Sequence, residues 1–244
     1  MIDHMGKVLE KVPIKDYTTY KLSGTLSKVI YPETLEQLVT ALKYCQDNQL
    51  KYLILGNGSN VIFVHDYNGI VIKLDHFNNL TIDGNLVKVG AGYSLMALAF
   101  KTVQAGLAGL DFAAGIPATV GGAIYMNAGA YQAEISDVLQ DVTILDENFS
   151  IRTLKKEELE FGYRSSLLRK TKWIVLEATF VLMPGQKQEL LQIIKERQQK
   201  RLMTQPLEYP SAGSVFRNPE NDYAGRLIEQ LELKGQKIGG ALIS

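Results

Sequence analysis

The sixteen residues Gly115-Ile116-Pro117-Ala118-Thr119-Val120-Gly121-Gly122-Ala123-Ile124-Tyr125-Met126-Asn127-Ala128-Gly129-Ala130 constrain this chain more than any other stretch. Nearly all are small and four are glycines, so few Cβ atoms keep the backbone from approaching another surface. Two structures satisfy such a run. One is a glycine-rich turn packed tightly on its own sheet. The other is a cradle whose backbone amides face an anion or a flat ring. A second glycine-rich loop upstream, Leu55-Gly56-Asn57-Gly58-Ser59-Asn60, favours the cradle.

The elements around these loops alternate between strand and helix patterns. Val29-Ile30-Tyr31 reads as a strand ended by Pro32, and Thr34 as the N-cap of a helix with Leu35, Leu38, Val39, Leu42 and Cys45 on one face. Tyr52–Leu55 and Ile70–Leu74 read as strands, and Thr81–Val89 as a hairpin turning at Asp83-Gly84. Ser94 caps a helix that Gly106 closes. Val142–Leu145 and Trp173–Val181 follow as strands, with a short helix near Lys155–Leu159 between them. Pro184-Gly185 marks a boundary, after which Lys187–Met203 has the pattern of an amphipathic helix with Leu190, Leu191, Ile194 and Leu202 inward and a solvated charged face outward. A loop over 211–219, a helix around Ala224–Leu231 and an opening strand from Ile238 complete the chain.

Charge and composition exclude several classes of function. Lys+Arg and Asp+Glu both number 26, so neither a nucleic-acid stripe nor a polybasic membrane patch is expected. No apolar run approaches 18 residues, and the first residues lack the apolar core of a signal peptide, which predicts a cytoplasmic protein. Cys45, the one cysteine, reads as a buried structural thiol. His4, His65 and His76 lack ligand spacing, and no metal site is expected.

The loop at 55–60 resembles a nucleotide loop only in part. A dinucleotide fingerprint needs a third glycine and an immediate helix, whereas Val61-Ile62-Phe63-Val64 prefers extended backbone. No Gly-Lys-Ser/Thr follows either, so the loop is not a phosphate-binding P-loop. Two readings remain: a nest of amides holding a diphosphate, with the Ser59 hydroxyl, or a simple hairpin turn.

Two further segments carry polar chemistry. Phe161-Gly162-Tyr163-Arg164-Ser165-Ser166 sets one arginine among aromatic and small residues, either as a surface group or as the partner of a carboxylate. In Tyr209-Pro210-Ser211-Ala212-Gly213-Ser214-Val215-Phe216-Arg217-Asn218-Pro219, Ser214 has no nucleophile elbow and no histidine nearby. Its hydroxyl suits proton donation to a carbanion better than hydrolysis.

In this order the two glycine loops, Tyr163-Arg164-x-Ser166, Ser211–Pro219, and Ala224-Gly225-Arg226-Leu227-Ile228-Glu229 leading to Gly239-Gly240-Ala241 make a specific set. It resembles the UDP-N-acetylenolpyruvoylglucosamine reductases of bacterial cell-wall synthesis over about residues 17–244. The resemblance implies an α+β architecture: a two-subdomain FAD-binding fold of the vanillyl-alcohol-oxidase (PCMH) type, at 1–80 and 81–185, and a substrate-binding domain at 186–244. Non-covalent FAD would contact Gly56, Asn57, Gly58, Ser59, Asn60, Gly115, Ile116, Pro117, Gly121, Gly122, Ala123, Asn127 and Gly129. NADPH would be the hydride donor and a UDP-sugar the substrate. Ser214 would protonate it, Arg164 would steady its carboxylate, and Tyr163, Arg217 and Asn218 would bind it. The compact subclass is expected, acting as a monomer without nucleic-acid or membrane partners. A flavin-binding protein without turnover, and an alcohol-oxidising flavoprotein of the same fold, are the alternatives.

Two departures carry expectations of their own. Ser23-Gly24-Thr25-Leu26 stands where the family has a Gly-Gly-Pro-Ala-like turn. The family also uses a glutamate near its C-terminal end, and this chain stops before any matching position; Glu229 and Glu232 belong to another motif. An incomplete third domain is therefore expected, with its last strand unpaired, early proteolysis beyond Gly185 and little turnover.

Overall fold

Local capping starts the two long helices of the N-terminal half where the sequence predicts. The Thr34 hydroxyl accepts a hydrogen bond from the Gln37 amide (3.3 Å) at the start of α1 (Leu35–Asp47), and the Ser94 hydroxyl accepts from Ala97 (3.3 Å) at the start of α2 (Leu95–Gln104). The computed structural model describes residues 4–205, 208–239 and 241–243.

Two sheets organise the chain. The first has the order β1 (Lys7–Pro13), β2 (Thr25–Tyr31), β4 (Tyr67–Ile72), β3 (Tyr52–Ile54). Its central strand β4 pairs in parallel with both neighbours, in a register that sets Val71 beside Val29 and Leu53. A parallel strand enclosed in this way must be apolar on both faces. Ile70 and Ile72 accordingly enter the main core, while Val71 joins Ile14, Leu26, Val29, Leu55 and Phe63 in a smaller core on the other face.

The second sheet is antiparallel. It contains β5 (Leu80–Asp83), β6 (Leu86–Gly90), β7 (Leu139–Leu145), β8 (Ile151–Lys155) and β9 (Ile174–Val181), in the order β8-β7-β9-β6-β5. The hairpin of β5 and β6 turns at Asp83–Leu86, as expected. Val87, Val89, Val142, Ile144, Ala178 and Phe180 point from it into the main core, where Leu95, Leu98 and Val103 of α2 meet them.

Parallel pairing settles one open alternative. Residues 55–66 connect β3 to β4, which run side by side in the same direction. A tight hairpin can join only antiparallel strands, so the glycine loop is a crossover and not a hairpin turn. Val61–Val64, expected to be extended, forms no strand; Phe63 is buried while Ile62 and Val64 are exposed.

The chain separates into two compact units, Met1–Ser211 and Ala212–Ser244. The first therefore continues past Pro184-Gly185. The physical reason is α5 (Lys187–Thr204), which inserts Leu190 and Ile194 into the main core and so belongs to the first unit. The second unit carries α6 (Ala224–Gln230) and a short ladder of Lys237–Ile238 with Ala241–Leu242. That ladder corrects the unpaired strand expected at 238: Gly239, at φ +58°, lets the chain turn back and pair with itself. Gly240 of the expected motif lies outside the described residues.

Candidate functional site

The two glycine loops meet. Asn57 donates from Nδ2 to the Pro117 carbonyl (3.4 Å), and a Cβ on Gly56 would stand 2.6 Å from the Thr119 hydroxyl, so only glycine allows this approach. Gly58 adopts φ +63°, and a Cβ there would fall 2.1 Å from the Tyr17 carbonyl oxygen. Among the described residues, the amides of Asn57, Gly58, Ser59 and Asn60 donate no backbone hydrogen bond, whereas the Gly58 carbonyl accepts one from Thr19 (3.3 Å). The loop is thus pinned from behind with its amides unspent, which is the donor set a diphosphate requires.

The second segment uses its amides differently from the expectation of freed donors. The N–H groups of Ile116, Ala118, Val120, Gly121 and Ala123 all bond backbone carbonyls, and that of Gly122 bonds the Thr119 hydroxyl. Ala123 and Gly122 are satisfied by α3 (Val120–Tyr125) and its Thr119 cap, whereas Val120 and Gly121 donate to the Tyr93 and Ala91 carbonyls before α2, and Ile116 and Ala118 to the local carbonyls of Ala113 and Ile116. This segment offers shape and small side chains, and the 56–60 loop offers the donors.

Two cavities adjoin these loops. One, of about 450 Å³, is lined by Tyr17, Thr19, Tyr31, Asn57, Lys73 and Asp75 among others. Lys73 is buried at the end of β4 and donates to the Gly56 carbonyl (2.6 Å) while pairing with Asp75 (3.3 Å). Burial and the hydrogen bond with Tyr17 (3.3 Å) push the Tyr31 hydroxyl well above the usual tyrosine range, so it stays protonated. The other cavity, of about 420 Å³, lies between Gly115, Ile116 and Pro117 on one side and Arg197, Lys200 and Arg201 of α5 on the other. Arg197 pairs with Asp111 (2.5 Å) and stacks on Tyr131 (4.6 Å), and Arg201 donates to the Gly115 carbonyl.

Sequence reasoning missed these cations. Lys73 had a signal, a single charge inside the apolar run Ile70–Leu74. Arg197 and Arg201 lie one turn apart on the face read only as solvated.

Arg164 comes to the glycine segment itself. Its Nη2 donates to the Gly129 carbonyl (2.7 Å) and its Nη1 to that of Asn127 (3.5 Å), and it stacks on Tyr163 at 4.9 Å. A guanidinium has five N–H donors, so these contacts leave donors for an anion. Tyr163 is half-exposed beside it. Ser214, Arg217 and Asn218 lie in the second unit: Ser214 and Arg217 are exposed, and the Asn218 carboxamide accepts from the Ala224 amide (3.1 Å) at the start of α6. His4, His65 and His76 are exposed and Cys45 is buried, as expected. No metal-ligating cluster occurs among the described residues, and none of their helices is long and apolar enough to cross a membrane.

Residues 26–155 match the family model of an FAD binding domain, and residues 205–244 that of the UDP-N-acetylenolpyruvoylglucosamine reductase C-terminal domain. The reductase of that name from Caldicellulosiruptor bescii is 44% identical over 240 residues, covering 97% of this chain and 76% of the relative. The one from Alkaliphilus oremlandii is 44% identical, covering 97% and 79%. Among solved structures, UDP-N-acetylenolpyruvylglucosamine reductase (MurB) from Thermus caldophilus is similar at 36% identity and a TM-score of 0.83, over 98% of this chain and 85% of that one. The 6-hydroxy-D-nicotine oxidase of Arthrobacter nicotinovorans, at 18% identity and a TM-score of 0.57 over 73% of this chain and 42% of that one, shares the fold.

Proposed function

The chain belongs to the UDP-N-acetylenolpyruvoylglucosamine reductase family, and from that premise we propose that it reduces the enolpyruvyl double bond of UDP-N-acetylglucosamine enolpyruvate to give UDP-N-acetylmuramate. FAD, held without a covalent link, supplies hydride transfer from NADPH to the substrate carbon. The observation that carries this reading is the junction of the two glycine loops, with the amides of 57–60 unspent, Lys73 behind them and Arg164 docked on Asn127 and Gly129.

Gly56, Asn57, Gly58, Ser59 and Asn60 would hold the cofactor diphosphate, and Gly115, Ile116, Pro117, Gly121, Gly122, Ala123 and Gly129 would line the rest of its site, while Asn127, fully buried with its carboxamide bonded to Ser136 and Gly162, braces that segment from within. Lys73, Arg197 and Arg201 offset the cofactor's negative charge. Arg164 uses its remaining N–H donors to hold the substrate carboxylate and to stabilise negative charge as it develops there. Ser214 donates a proton to the carbon next to the carboxylate, and Tyr163, Arg217 and Asn218 bind the UDP-sugar. Residues 1–80 and 81–185, each built on one sheet, are read as the two cofactor subdomains, with α5 packed into their core, and the unit that begins at Ala212 as the substrate domain. The enzyme works as a cytoplasmic monomer in peptidoglycan precursor synthesis, and so in cell shape and division.

Purified protein should be yellow, and heat or acid should release the chromophore. Colourless protein that takes up no added FAD would refute the assignment. Under single-turnover conditions, in a chain extended to the length of its relatives, Ser214→Ala should leave flavin reduction by NADPH intact and slow reoxidation by the enolpyruvyl substrate roughly 10²–10⁴-fold. Equal rates in both half-reactions would reduce Ser214 to a loop residue.

A further inference from the structure

Both ends of the Asn127 carboxamide are engaged within the chain. The residue is fully buried and sits at φ +43°, a conformation few non-glycine residues adopt. Its Oδ1 accepts from the Ser136 amide (3.0 Å) and its Nδ2 donates to the Gly162 carbonyl (3.2 Å). Its own carbonyl accepts from Arg164. The carboxamide therefore ties the end of the glycine segment to the start of α4 (Ile135–Val138) and to the turn that presents Arg164.

That turn needs an outside hold. Gly162 and Ser165 exchange backbone hydrogen bonds (3.1 and 3.0 Å) as an isolated bridge, and Arg164 between them lies at φ +54°. One bridge of this kind does not fix a left-handed arginine. Asn127 secures one side through Gly162, and the buried Ser166 secures the other by donating from Oγ to the Tyr125 carbonyl (2.8 Å).

We propose that Asn127 is a positioning residue that holds the Gly162–Ser165 turn so that the Arg164 guanidinium meets the substrate carboxylate, rather than a residue that touches the cofactor through its side chain. The proposal rests on the role given to Arg164 above. Asn127→Asp is the sharp variant, because it keeps an acceptor for the Ser136 amide and removes the donor for the Gly162 carbonyl.

The experiment compares the FAD-loaded full chain with Asn127→Asp, Arg164→Ala and the double variant. It measures substrate Kd from the flavin absorbance change and the reoxidation rate in a single turnover. Asn127→Asp should weaken substrate binding and slow reoxidation about 10- to 100-fold, with FAD content and NADPH half-reaction unchanged. In the Arg164→Ala background it should add less than twofold, because residues acting as one unit are non-additive. Hydrogen exchange should quicken across 162–166 and stay slow at Ser136. If Asn127→Asp fails to retain flavin, the neutral Asn127→Ser, too short to reach Gly162, takes its place. An undiminished effect of the variant in the Arg164→Ala background, or unchanged exchange across 162–166, would overturn the proposal. Wild-type behaviour of Asn127→Asp beside a slow Arg164→Ala would overturn Asn127 alone; wild-type behaviour of Arg164→Ala would overturn the reading of the arginine, and this proposal with it.

Discussion

At Gly58 one methyl group separates a working loop from a collision with Tyr17. Gly58→Ala should weaken FAD retention at least tenfold and lower the melting temperature, since the left-handed backbone and the contact at 2.1 Å both oppose a side chain. A fluorescence titration with FAD reads the first effect and thermal unfolding the second. Cys45 makes the opposite point, that of a reactive group kept inert. Burial pushes its thiol up to about 11, from 9.0, so native protein should react with a thiol reagent at pH 8 far more slowly than protein in guanidinium. The sign for stability follows: above pH 9 the unfolded chain gives up this proton first, so the thiol's contribution is lost as pH rises from about 9 to about 11. What a residue does was legible where its partner is near in sequence, as for Thr34 and Ser94, whose capping bonds reach three residues on. For Asn127 it was not, because Gly162 lies 35 positions away and nothing in a linear pattern pairs them.

Among the elements, α5 shows why a helical period identifies a buried stripe but not its destination. Leu190, Leu191 and Ile194 were legible as an inward face, but Leu202, read with them, is exposed, because the last turn of α5 runs past the core; that the first three seal the main core next to the glycine segment was not legible, because the same stripe would suit a separate domain equally well. Ile194→Ala should cost roughly 2–4 kcal/mol, the usual range for truncating a fully buried aliphatic side chain, and the loss should appear in the unfolding transition that releases flavin. Denaturant unfolding followed by flavin fluorescence measures it. A loss seen only in a separate transition without flavin release would assign α5 elsewhere. The polar face of the same helix carries Arg197 and Arg201, so one element both closes the core and supplies charge to the cavity beside Gly115.

Over the whole molecule, the ordered motifs gave the family correctly, and the two sheets carry the mixed architecture that it implies. The unit boundary was harder to read, since composition shifts at Gly185 while burial continues through α5. Mild proteolysis should therefore cut first around the junction of the two units near residue 211, leaving a flavin-retaining fragment that still contains α5. First cleavage between 185 and 190 would contradict the packing of that helix. One consequence of the first sheet concerns time rather than space. Of this sheet's strands β4 is the last in chain order yet occupies a middle place, so the loop it anchors cannot take shape until strands about 40 residues apart have found each other. Pairings this distant are slow to form. On refolding, flavin capture should trail the recovery of circular dichroism, which makes the cofactor a late witness of assembly and not its nucleus.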